Sequence, residues 1–99
     1  MDLFNVIFYH GGNFVHGKFM FYNGGNETIV HVQDPDIWSY FEVVSLVRDW
    51  GYVRFRLRRQ ISGVHERYFH FIDDKKVEEI DTHCIPNNVD AHIWVEHDV

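Results

Sequence analysis

The sequence predicts an α+β fold: a mixed sheet of four to five strands covered by one main helix, with a second, short helix. Three observations carry this reading. Residues 52–59 alternate, with Val53, Phe55 and Leu57 against Arg54, Arg56 and Arg58, the period-two pattern of a strand that buries one face. Ser39-Tyr40-Phe41-Glu42 has the spacing of a capping box, in which Ser39 and Glu42 satisfy each other's free backbone N–H groups, so a helix starts there. Doubled glycines, Gly11-Gly12-Asn13 and Gly24-Gly25-Asn26, punctuate apolar runs of strand length.

Taken in order, residues 3–10 are apolar, β-branched or aromatic at most positions and predict a buried strand that stops at the first glycine pair. Phe14 and Val15 continue briefly, Gly17 interrupts, and residues 18–22 are again strand-like before Gly24-Gly25 turns the chain. Residues 28–33 set Ile29 and His31 against Val30 and Val32. Asp34-Pro35-Asp36 breaks that run. In the helix that follows, Trp38 and Val43 are placed for a hydrophobic staple. Phe41, Val44, Leu46 and Val47 supply its apolar face, and Gly51 sits where a left-handed residue ends a helix. After the alternating run of 52–59, Ser62-Gly63 turns the chain and residues 66–72 return as a strand. Asp73 or Asp74 caps a short helix in which Val77, Ile80 and Cys84 share one side, ended by Pro86. Ala91, Ile93 and Val95 then alternate with His92, Trp94 and Glu96 in a last strand. The order β-β-α-β-β-α-β fits a ubiquitin-like β-grasp roll; a ferredoxin-like fold, the main competitor, wants two comparable helices.

Ninety-nine residues with 45% apolar content make one domain with a core of its own. Aromatics form 17% of the chain, nine of them Phe, so a few large side chains can fill that core. A single cysteine, Cys84, excludes an internal disulfide and fits a reducing compartment. With no signal-peptide pattern and no apolar run approaching the ~20 residues of a membrane helix, a soluble, intracellular domain without membrane contact is expected.

Several blocks resemble a known family: LFNVIFYHGGNF (3–14), FYNGG (21–25), SYFEVVSLVRDWGY (39–52), IDDKKVEEI (72–80) and IWVEH (93–97). They are similar to the Phox/Bem-one-like (PB-one-like) domain at the N-terminus of plant Mutator-type (MuDR) transposases and the proteins derived from them. The resemblance implies a ubiquitin-like module for protein association, belonging to a longer, nuclear protein. It also implies front-to-back pairing, in which a lysine on the first strand of one domain meets an acidic turn on the next. This chain departs from that pattern. Residues 3–10 hold no lysine, and the turn after the third main strand is Gln60-Ile61-Ser62-Gly63, without carboxylates.

Charge supplies substitutes for both poles. Six of the nine Lys and Arg residues lie between Arg48 and Arg67, whereas residues 68–99 hold eight acids, and the net charge is −6. Arg54, Arg56, Arg58 and Arg59 are the candidate basic surface, since planar guanidinium groups grip carboxylates bidentately. Asp73, Asp74, Glu78 and Glu79 are the candidate acidic surface. Each has a plainer account, the arginines as the solvated side of a half-covered sheet and the acids as a cap and solvated helix face. The expected partner is a protein, either a second copy forming a homo-oligomer or a related domain. A nucleic-acid accessory role for the arginine strip is the alternative, set against the net negative charge that repels phosphate; a sheet edge open to a partner strand is a third reading. Eight histidines show no paired metal-ligand spacing, so neither metal nor cofactor is expected. Ser39 is engaged as a cap, Cys84 beside His83 lacks an orienting acid, and no glycine-rich strand-to-helix loop cradles phosphate; an enzyme is not expected.

Overall fold

The computed structural model describes residues 4–18, 20–34, 38–60, 68–70, 84, 87 and 89–97, with backbone only for Gln60 and 68–70. Its elements are β1 (Phe4–His10), β2 (Asn13–His16), β3 (Met20–Asn23), β4 (Asn26–Val32), α1 (Tyr40–Asp49), β5 (Phe55–Gln60), β6 (Tyr68–His70) and β7 (Ala91–His97). Five strands form a mixed sheet in the order β4-β1-β7-β5-β6. The first and last strands run parallel at its centre, with Val6 opposite Ala91 and Tyr9 opposite Trp94, and every other pair is antiparallel. That parallel central pair, together with α1 after the first antiparallel arm, makes the fold a β-grasp roll. The ferredoxin-like alternative is thereby excluded.

The alternation read in the sequence decides which side chains meet α1. Phe4, Val6 and Phe8 of β1, Val32 of β4, Leu57 of β5 and Ala91, Ile93 and Val95 of β7 face the helix and are buried. From the other side Val43 and Val47 are fully buried, Val44 and Leu46 are partly so, and Trp38 and Trp50 put ring edges against Phe8 at 6.5 and 5.1 Å. Each fully buried side chain of this size is worth about 1.5–3 kcal/mol. Ser39 caps α1 as its spacing predicts, its Oγ accepting from the Glu42 N–H at 3.2 Å. At the far end Gly51 takes φ +98°, and its N–H donates to the Arg48 carbonyl. One expectation fails here. Phe41 is 77% exposed, because Val43 and Val47 take the contact with the sheet and leave Phe41 on the solvent side.

The glycine pairs are bends in one long ribbon and not its reversals. The β1–β4 ladder ends at His10 opposite Asn26, and a second ladder, β2–β3, resumes at Asn13 opposite Asn23. The chain reverses farther out, between His16 and Met20. At the bend the two chains nearly touch: a Cβ on Gly25 would sit 2.5 Å from the His10 carbonyl oxygen, and one on Gly12 2.5 Å from that of Asn23. The bent arm is pinned to β7 by Tyr22, whose hydroxyl donates to the Val95 carbonyl at 2.9 Å and accepts from the Gly12 N–H. Val53 and Arg54, read as strand, instead lie in a bend before β5, with Val53 84% exposed.

The second helix before Cys84, residues 66, 67, 71 and 72 of the returning strand and the residues Asp73, Asp74, Glu78 and Glu79 lie outside the described residues. Cys84 is buried in the core and helical, and the helical backbone at Asn87 lies beyond the Pro86 at which the sequence places the end.

Candidate interaction surface

The face of the sheet turned away from α1 is where the chemistry gathers. Residues alternate to it from four strands: Ile29 and His31 from β4, Ile7 and Tyr9 from β1, His92, Trp94 and Glu96 from β7, and Arg56 and Arg58 from β5. Register sets the contacts. Arg56 stands opposite Glu96 and Arg58 opposite Trp94. The four arginines of the candidate basic surface therefore divide into three kinds.

Arg54 and Arg56 are exposed and have no carboxylate partner among the described residues. Arg58 is largely covered: its Nη2 lies 3.6 Å from Glu96 Oε1, and its guanidinium sits 5.4 Å from the centre of the Phe14 ring on the bent arm. It ties the arm to the sheet. Arg59 is a correction to the sequence reading. One residue on, it points to the helix side beside Leu57 and opposite Ile93, and it is 5% exposed, so it does not belong to the basic surface.

Next to Arg58 lies an aromatic layer that sequence reasoning did not single out. Tyr9 stacks on Trp94 at 4.8 Å, and its hydroxyl is hydrogen-bonded to His92 Nδ1 at 2.9 Å. The signal was present in the alternation of His92 and Trp94, but only the β1–β7 pairing brings Tyr9 across to them. On the helix side, the end of β1 carries a second polar knot. His10 stacks on Trp50, with Nδ1 2.9 Å from the Tyr52 hydroxyl and Nε2 2.7 Å from Thr28 Oγ1. Burial holds the His10 imidazole below its ordinary pKa and pushes the Tyr52 phenol above its own. Burial also raises Tyr22, opposed in part by the Gly12 N–H. Among the described residues no three His, Cys, Asp or Glu side chains are grouped to hold a metal ion, and no helix is long and apolar enough to cross a membrane.

A family model for the PB1-like domain matches residues 1–97. The chain belongs to the PB1-like domain family. No curated protein matches it. PB1-like domains are protein-interaction modules, so the surface of this one is to be judged by what it offers a protein partner. In this PB1-like domain the first strand spends its outward positions on Asn5, Ile7 and Tyr9, and the exposed Arg54 and Arg56 sit two strands away, just before and on β5.

Proposed function

We propose that this PB1-like domain joins proteins by pairing a basic surface with the carboxylates of a second copy or a related domain. Arg54 and Arg56 form the basic surface, with Arg58 holding the strand and arm behind them. Asp73, Asp74, Glu78 and Glu79 supply the carboxylates. The observation that carries the reading is the pair Arg54 and Arg56: two exposed guanidinium groups without partners among the described residues, on a chain whose net charge is −6. A surface of that kind attracts an acidic partner and repels polyanions elsewhere. The blocks that resemble Mutator-type transposases support a setting in a nuclear protein of that descent in a plant.

Sedimentation equilibrium across protein concentration and salt tests the pairing. The average mass of the wild type is expected to rise with concentration at about 0.1 M salt and fall toward the monomer at about 1 M, as the Debye length shrinks from about 10 to about 3 Å. Arg54→Glu/Arg56→Glu is expected to remain monomeric throughout. A wild type that is monomeric under all conditions removes the homotypic form, and association that survives the double substitution removes the basic surface itself.

A further inference from the structure

The sheet's terminal strand, β4, lies along α1, and between them runs a groove of about 260 Å³. Val30, Val32, Trp38 and Leu46 give it an apolar lining beside His31 and Gln33, and among the described residues its charged lining is Asp34 and Glu42, with no Lys or Arg. Trp38 is buried, and its indole Nε1–H has no acceptor among the described residues. On its other side β4 pairs with β1; on the groove side no described strand continues the sheet.

We propose that this groove binds an extended segment of a partner protein, laid alongside β4, with apolar side chains at alternate positions and a Lys or Arg beside them. Each requirement has a source in the structure. A terminal strand offers its backbone groups to an added strand. Strand side chains alternate, so every second one of the segment meets the apolar lining. The cation answers Glu42, and a segment carbonyl gives the Trp38 N–H its acceptor. The groove is separate from the Arg54–Arg56 surface, since β1 and β7 stand between β4 and β5, three strand spacings or roughly 14 Å.

The probe is a library of random twelve-residue peptides displayed on phage and selected against the whole domain, with the winning peptide then titrated into 15N-labelled protein. Enriched peptides should carry apolar residues two apart next to Lys or Arg. The Trp38 indole resonance and the β4 amides should move, with Trp50 and Trp94 as internal references. Glu42→Lys, checked for fold by circular dichroism, should weaken that peptide about fivefold, while Arg54→Glu/Arg56→Glu leaves it unchanged. The proposal is overturned by a library without enrichment, by acidic winners, by a Trp38 indole that stays in place, or by an affinity that depends on Arg54 and Arg56 and not on Glu42.

Discussion

Arg58 and Arg59 are neighbours in sequence and opposites in environment, because a strand turns successive side chains to opposite faces. Arg58 joins Glu96 and Phe14 on the outer face, and Arg59 enters the core beside Leu57. Substitution separates the two environments energetically. Arg59→Glu reverses the charge at a buried site and is expected to cost about 3 kcal/mol or more. Arg54→Glu, in the exposed bend before β5, should stay within about 0.5 kcal/mol. Urea unfolding of the two variants reads this directly, and equal midpoints would contradict the assignment of Arg59 to the core.

At the scale of elements, the bent ribbon depends on two glycine pairs facing each other. Gly24 and Gly25 both have positive φ, +77° and +86°, so alanine strains the backbone at either by about 1 kcal/mol. Only Gly25 also lacks room. A Cβ there meets the His10 carbonyl and the Gly12 nitrogen, whereas at Gly24 it meets nothing within 4 Å. Gly25→Ala is therefore expected to cost about 1–3 kcal/mol more than Gly24→Ala, measured by thermal unfolding. Equal costs would mean that the two chains of the arm do not approach as closely as the structure has them. Helix α1 is simpler, since its start, its cap and its end follow from Ser39, Glu42 and Gly51 alone.

For the whole molecule, His10 reports how the parts are joined. It is carried by β1, touches Thr28 of β4 and reaches Trp50 and Tyr52 beyond the end of α1. Desolvation lowers its folded-state pKa below 6.5, so on acidification the unfolded chain takes up this proton first. The stability that neutral His10 contributes is thus complete above about pH 6.5 and is lost as pH falls through that value toward the folded pKa. NMR titration of the imidazole should give a midpoint below 6.5, and unfolding free energy should fall between pH about 7 and 5 by less in His10→Asn than in the wild type. A midpoint at or above 6.5 would contradict the burial of this ring.

Read without the structure, the sequence determined the α+β class, the capped helix and the two faces of each main strand. Those are local: hydrophobic period, capping spacing and turn residues act within a few positions of one another. The outward set of Ile29 and His31 and the inward set of Val30 and Val32 were legible for that reason, as were the resemblance blocks that agree with the family match. Which face of α1 reaches the sheet, and so the exposure of Phe41, was settled by helix docking. Pairing of first with last strand brought Tyr9 to Trp94, and the fold of the arm set Phe14 under Arg58. Contacts of that kind join residues distant in the chain, and no local pattern encodes them. The burial of Arg59 belongs with them, since alternation says which face a side chain takes but only packing says how far the core extends along it.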